Sequence, residues 1–276
     1  KNTQKITKAM KMVSAAKLRR AQNALTQARP YQKQLFQIVS RIAPHLKENS
    51  SPYLRKDLTT NRAEILVYTS DRGLCGGFNS NLLRKVQLFS SLEAKQHSEL
   101  QIVSLGKKGR DFFKARKIAF QESILTPSPD QAFDFTAALE RAKDLLARFV
   151  AKEFDVFYLA YNSFKSAISQ EVTLRKILPL DLSAVSEEEG LLPVIYEPSA
   201  VELFDELLPK LIATEIYLAH LESVTSELGA RMSAMENATN NAREMISLLT
   251  LQYNRARQAS ITKELMDIVN GAESLK

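Results

Sequence analysis

The sequence predicts an α/β protein: a long antiparallel two-helix coiled coil formed by its N- and C-terminal segments, plus a small, mostly parallel α/β sheet domain inserted between them. Three observations carry that expectation. The last third holds an apolar heptad over seven repeats, the N-terminal segment keeps a similar three-four rhythm, and the stretch between them alternates strand with helix.

The N-terminal helix is expected within residues 1–57. Ile6, Met10, Val13, Lys17, Ala21, Ala24, Ala28, Tyr31, Leu35, Ile38 and Ile42 follow the rhythm, with one extra step of four around Lys17. Such a stutter relaxes a left-handed supercoil locally. Small side chains at Ala21, Ala24 and Ala28 let a second helix come close. Pro30 inside the pattern predicts a kink or a lost hydrogen bond. Pro44, then Asn49-Ser50-Ser51-Pro52, ends the helix and opens a linker.

Residues 62–197 read as the inserted domain. Glu64 to Thr69 is a buried strand and Ser70 to Gly77 its outgoing loop, followed by a helix from Asn79 to Gln96. Leu100 to Leu105 is a strand, and Lys107 to Arg116 a helix. Ser128-Pro129-Asp130 starts a helix that reaches about Ala151. Asp155 to Tyr161 is a strand, Asn162-Ser163 turns the chain, and Ile168 to Ile177 returns antiparallel. Ser186 to Gly190 is a solvated loop and Leu191 to Tyr196 a short extended run. Strand and helix in alternation argue for a sheet covered by helices.

The C-terminal segment, 198–276, is the clearest. Between Lys210 and Asn270 there is no proline and one glycine, Gly229. Leu211, Thr214, Leu218, Leu221, Thr225, Leu228, Met232, Met235, Thr239, Ala242, Ile246, Leu249, Tyr253, Ala256 and Ser260 make one seam. A seam that long belongs to a helix wound on a partner. At about 1.5 Å per residue the rod is roughly 90 Å long. One long helix enters the inserted domain and the other leaves it, so they should pair antiparallel, with the longer one overhanging. The overhang ends in Ile261, Leu265, Met266, Ile268 and Val269, too apolar to stand in water alone. A sleeve from another chain is expected.

Composition narrows the function. With 45% hydrophobic and 25% charged residues the chain is that of a globular protein, and no apolar run is long enough to span a membrane. A single cysteine, Cys75, excludes an internal disulfide and fits a reducing compartment. No signal-peptide pattern is read. Lys1 is not an initiator Met and already stands in the helical pattern, so residues are expected before it. The net charge of +7 is concentrated: the first 47 residues hold eleven Lys or Arg and no acid. Such a block can face nucleic acid, anionic lipid or an acidic protein surface.

No active site is legible. Asp71-Arg72-Gly73-Leu74-Cys75-Gly76-Gly77-Phe78-Asn79 lies where phosphate loops lie, between a strand and a helix. Its glycine spacing fits neither a dinucleotide fingerprint nor a P-loop, and Leu105-Gly106-Lys107-Lys108-Gly109 fails the same test. Unusual backbone angles in a tight turn are the expected use of these glycines. His45, His97 and His220 are scattered without ligand spacing, and Glu187, Glu188 and Glu189 are adjacent in a loop. No metal, cofactor or catalytic residue is assigned.

Asn2-Thr-Gln-Lys-Ile-Thr-Lys-Ala-Met-Lys-Met-Val13, Thr69-Ser-Asp-Arg-Gly-Leu-Cys-Gly-Gly77 and Tyr253-Asn-Arg-Ala-Arg-Gln-Ala-Ser-Ile-Thr-Lys-Glu-Leu265 occur in that order. With Leu178-Pro-Leu180 and Tyr196-Glu-Pro198, they make the chain resemble the gamma subunit of rotary proton-translocating ATP synthases. The match runs over essentially the whole chain. It lacks the short helical start usual in such subunits and the cysteine-bearing insert of the chloroplast form. A bacterial source is expected, with the complex on the cytoplasmic face of the inner membrane.

The resemblance implies a non-catalytic rotor shaft set inside three alpha and three beta subunits, its α/β domain against the epsilon subunit and the c-ring. It also implies roles for residues. Arg231, Arg257, Gln258 and Thr262, near the upper end of the shaft, are expected to contact a beta subunit as a catch. Met10, Ile261, Leu265 and Ile268 form the bearing, and Lys8, Lys11 and Lys17 face acidic loops. Tyr196 and Glu197 belong to the foot near the c-ring and epsilon. The alternative of another class is a basic coiled-coil protein that binds nucleic acid. The basic block supports it, but the block lies along a coiled coil and the resemblance is against it.

Overall fold

The computed structural model describes residues 1–47, 50–54, 60–93, 99–122, 133–180 and 196–273. Helix α1 (Asn2–Ile42) leads into a 3-10 turn at Ala43–His45, and a second short turn covers Pro52–Leu54. The inserted region runs β1 (Arg62–Tyr68), α2 (Phe78–Glu93), β2 (Glu99–Leu105), α3 (Lys107–Ala115), β3 (Gln121–Glu122), α4 (Phe135–Val150), β4 (Val156–Phe164) and β5 (Gln170–Leu178). Helix α5 (Ala200–Glu273) closes the chain. At 41 and 74 residues, α1 and α5 are roughly 60 and 110 Å long.

The strand order is β3-β2-β1-β4-β5, parallel except for the β4–β5 hairpin. Both faces are covered, which is why β1 reads as a continuous apolar run. Ile65 and Val67 turn to one face, where Leu82, Val86 and Phe113 of α2 and α3 pack. Tyr68 and Leu66 turn to the other, against α4 and the shaft helices. On that second face Glu64 is buried and takes a two-point grip from Arg148 of α4, Nη2 to Oε2 at 2.6 Å and Nη1 to Oε1 at 3.3 Å.

The two long helices do pair antiparallel. Thr7 meets Thr239, Lys11 meets Glu236, Arg29 meets Glu222 and Gln32 meets Glu215. The α5 seam holds as far as Ile246. Between Leu211 and Ala230 this helix is buried on nearly every side, because it runs between α1, α4 and the sheet.

Several expectations need correction. The α1 seam is displaced by one residue over much of its length. Its inward positions are Thr7, Lys11, Ser14, Leu18, Ala21, Leu25, Ala28, Gln32, Leu35, Val39 and Ile42, while Ile6, Val13, Lys17, Tyr31 and Ile38 are exposed. This inward series alternates steps of four and three without interruption, so there is no stutter at Lys17. Polar and small residues occupy the seam, and the apolar pattern followed the wrong face. The helix also passes Pro30 unbroken, with the ring on its exposed side.

Asn162 and Ser163 do not turn the chain. Both stand in β4, where Asn162 is buried, its side-chain amide donating to Phe78 O and its carbonyl accepting from Ser226 Oγ. Tertiary partners satisfy the groups that a turn would otherwise use. The reversal falls at Lys165–Ser169, where the amides of Lys165 and Ser166 both donate to Ser169 O. Helix α4 begins at Phe135 with Asp134 as its cap, the carboxylate accepting from Ala137 N at 2.9 Å. The expected start at Ser128-Pro129-Asp130 lies outside the described residues. So do Gln96, the loop at 186–190 and the extended run at 191–195. Strand β3, two residues on the sheet edge, was not foreseen.

Candidate functional site

The fold presents three stations along one axis: a base, a collar where the sheet meets the shaft, and a free tip. At the base, α1 ends and α5 begins. Tyr196 donates its hydroxyl to Arg41 O at 3.3 Å, and its ring lies 5.4 Å from His45. Glu197 beside it is exposed. Ser199 starts α5, its hydroxyl accepting from Glu202 N.

The collar is built on the loop after β1. In an open α/β sheet, ligands bind beyond the carboxyl ends of strands where the order reverses, here between β1 and β4. In this chain the shaft lies across that crevice. Ser226 bonds Asn162, Gly229 packs close over the hairpin where a Cβ would lie 3.2 Å from Ala167 O, and Tyr68 donates its hydroxyl to Ile216 O. The amide end of α3 is also taken. Lys107 N donates to the Asp71 carboxylate, Lys108 N to Ser70 O and Gly109 N to Thr69 Oγ1. The chain's own oxygens occupy the donors that a phosphate would need.

Glycine is required at two of these positions. Gly76 has φ +56°, and at Gly106, φ +84°, a Cβ would fall 2.2 Å from Thr69 O. Cys75 is buried, and Asn79 donates to its sulfur at 3.3 Å. Burial pushes the thiol above its ordinary range, so it is not poised as a nucleophile. Among the described residues no group of His, Cys, Asp or Glu is arranged to hold a metal ion.

Arg231 belongs to the collar. Its guanidinium pairs with Glu227 at 2.6 Å and donates to the carbonyls of Arg72 and Gly73. That corrects its expected place near the upper end, since along α5 it lies roughly 40 Å from Arg257. Beside it a groove of about 500 Å³ opens between α1 and α5, lined by Ile6, Met10, Val13, Leu74 and Leu228. Met10 is half-buried there. Of the three lysines, Lys8 and Lys17 are exposed on α1. Lys11 instead turns to Glu236 at 2.6 Å, so it is engaged within the shaft.

The tip is α5 alone. From Ile246 to Glu273 it measures roughly 40 Å. Ile261, Leu265 and Ile268 are 49%, 57% and 68% exposed. Arg257, Gln258 and Thr262 are exposed as well, and the Thr262 hydroxyl donates to Gln258 O at 2.9 Å. No described helix is long and apolar enough to cross a membrane.

Sequence reasoning missed three acids of α5, two buried and one, Glu222, half-buried. Glu215, Glu222 and Glu227 sit in the stretch enclosed by α1 and the sheet, with Arg175, Arg29 and Arg231 as partners. Their presence among so many apolar neighbours was the available signal, because an acid survives burial only when paired.

A two-helix shaft with a helix-covered sheet at one side and an uncovered apolar end defines a class of stalk proteins. A family model described as ATP synthase matches residues 1–275. The ATP synthase gamma chain of Geobacter metallireducens is 47% identical over 278 aligned residues, and that of Anaeromyxobacter sp. (strain K) is 49% identical. Each alignment covers 100% of this chain and 95% of the relative. Among solved structures, the central stalk and c-ring of Tetrahymena thermophila mitochondrial ATP synthase aligns with TM-score 0.61 at 28% identity, over 85% of this chain and 99% of that one. A chain of the Euglena gracilis mitochondrial ATP synthase shares the fold, with TM-score 0.57 at 22% identity and 95% of each chain covered. The chain belongs to the ATP synthase gamma family, and it is a central-stalk subunit.

Proposed function

We propose that the chain is the non-catalytic rotor shaft of a proton-translocating ATP synthase. It passes rotation of a c-ring to three catalytic beta subunits, and so drives ATP synthesis or is driven by hydrolysis. One observation carries this reading: beyond Ile246 the apolar side chains of α5, Leu249, Tyr253, Ile261, Leu265 and Ile268 among them, stand in water. Three alpha and three beta subunits are the sleeve. An asymmetric shaft touches each beta subunit differently and so biases their conformations in turn.

Residues 1–57 and 198–276 serve as the shaft and 62–197 as the side domain, with epsilon and the c-ring at the base. The complex lies on the cytoplasmic face of a bacterial inner membrane, and this chain is peripheral to it through the c-ring. Arg257, Gln258 and Thr262 form the catch on a beta subunit. Ile261, Leu265 and Ile268 form the bearing, Met10 and the groove beside it the lower one, and Lys8 and Lys17 attract acidic loops. Tyr196 is turned inward, so Glu197 is the outward residue of the foot.

Two cysteine variants in the assembled complex test the axis. Glu197→Cys should crosslink to subunit c or epsilon, and Ile261→Cys to alpha or beta. Crosslinks in the reverse sense overturn the placement.

A further inference from the structure

The α1 seam mixes apolar and small residues such as Ala21, Leu25, Leu35 and Val39 with the polar Thr7, Lys11, Ser14 and Gln32. Its apolar and small members resist separation but by themselves carry little memory of axial position. A shaft under torque needs that memory. Two acids one heptad apart supply it. Glu215, which is 7% exposed, divides its carboxylate between two elements: Gln32 of α1 donates to Oε1 at 2.7 Å, and Arg175 of β5 lies 2.8 Å from Oε2. Two turns on, Arg29 of α1 pairs with Glu222 at 3.1 Å and donates to Phe164 O at the end of β4. Each acid therefore ties α5 to α1, and its partner set reaches the β4–β5 hairpin as well.

We propose that Glu215 and Glu222 are positioning residues that act as a two-tooth polar key, holding the shaft helices in one register and fixing them to the β4–β5 hairpin. Rotation imposed on the side domain then reaches the tip without slip. A slide of α1 by one heptad takes Gln32 from Glu215, which keeps only Arg175, and takes Arg29 from Glu222, leaving a half-buried carboxylate unpaired, which is the penalty that specifies a register. This inference rests on the rotor reading for its consequence, but the register itself is a property of the isolated chain.

The test uses Glu215→Leu with Glu222→Leu. Replacing paired buried charges by apolar groups often leaves stability unchanged or raised, so stability and register separate. Spin labels on Lys8→Cys and Asn240→Cys, both exposed while Cys75 is buried, report the register by their distance. The native chain should give one narrow distance. The double-Leu chain should keep its unfolding midpoint and add a population displaced by about one heptad, ~10 Å along the axis. In the assembled enzyme the same variant should hydrolyse ATP within twofold of native but pump at least threefold fewer protons per ATP. Exchanging the pair, Glu215→Arg with Arg175→Glu, should restore the single distance and much of the coupling.

An unchanged distance in the double-Leu chain overturns the key. So does a displacement that the exchange does not reverse, and native pumping with a displaced register overturns its role in torque. If the native complex itself did not pump, the rotor reading would fail, and the label distances would still decide the register.

Discussion

The hydroxyls of Thr7 and Thr239 meet at 2.8 Å across the two long helices. Thr7 lies near the start of α1, so this contact marks where shared burial is about to end. From Ser247 to Asn270, α5 is exposed without interruption, its apolar residues included.

Charging that end should therefore cost the isolated chain almost nothing. Ile261→Asp with Leu265→Asp removes no contact within the chain, and surface changes of this kind stay within about 0.5 kcal/mol. The melting curve of the free protein should superimpose on the native one, while the yield of complex with alpha and beta subunits should fall at least tenfold. A lowered melting temperature in the free chain would show that the tip folds back on itself.

The side domain has the opposite sensitivity. Arg148 bridges buried Glu64 on β1 and exposed Glu153, at 2.6 and 2.8 Å, and the two carboxylates push its pKa up. Arg148→Ala leaves Glu64 charged and unpaired among apolar neighbours. The expected loss is about 3 kcal/mol in urea unfolding. Arg148→Ala with Glu64→Gln should recover much of it, because the stranded charge is then gone.

Much of this architecture was legible because period and length are written in the chain. The α5 seam from Leu211 to Ile246 could be read from residue types alone. The α1 seam could not, because Thr7, Lys11, Ser14 and Gln32 face inward while Ile6, Val13 and Ile38 face out. Polarity pointed to the wrong side once a partner satisfied the inward polar groups. Likewise, Asn162-Ser163 has turn chemistry, but Phe78 and Ser226 absorb it. Arg231 shows the limit for the site. Sequence places it on the shaft, and only the fold reveals that Glu227 and the Arg72–Gly73 carbonyls hold it.

Acid should weaken the protein through His220. Its ring lies 4.8 Å from Phe133 and 6.2 Å from Tyr68, and burial pushes its pKa down to about 4. In the unfolded chain the value is about 6.5. The fold thus favours the neutral ring, so this contribution is complete above pH ~6.5 and is lost as pH falls toward 4. At pH 5 the loss is about 2 kcal/mol. The stability difference between pH 7.5 and 5 should be smaller by that amount in His220→Phe. An equal difference in both chains would mean that the histidine is protonated in the fold.

The glycine loop should not hold nucleotide. Asp71, Ser70 and Thr69 already accept from the first amides of α3, and α5 lies across the crevice above. Titrating ATP with magnesium into the isolated chain to millimolar concentration should give no saturable heat. Saturation that Asp71→Ala strengthened would show that the carboxylate competes with a real phosphate site.

The proposed catch can be separated from the collar because Arg231 and Gln258 stand at different stations. Arg231→Ala removes a nearly buried partner of Glu227 and frees the loop at 70–77, so it should lower the stability of the free chain by about 2–4 kcal/mol. Gln258 and Arg257 are exposed, and Gln258 shares a face with Thr262 one turn away. Changing them should leave the free chain as stable as native. A charge-assisted hydrogen bond to a beta subunit is worth about 1.5–3 kcal/mol, enough to bias that subunit's conformation tenfold or more. Gln258→Leu, or Arg257→Ala, should therefore assemble normally but slow ATP turnover several-fold, without changing the protons pumped per ATP. Native turnover in both assembled variants would remove the catch and leave these side chains as solvated surface of the shaft.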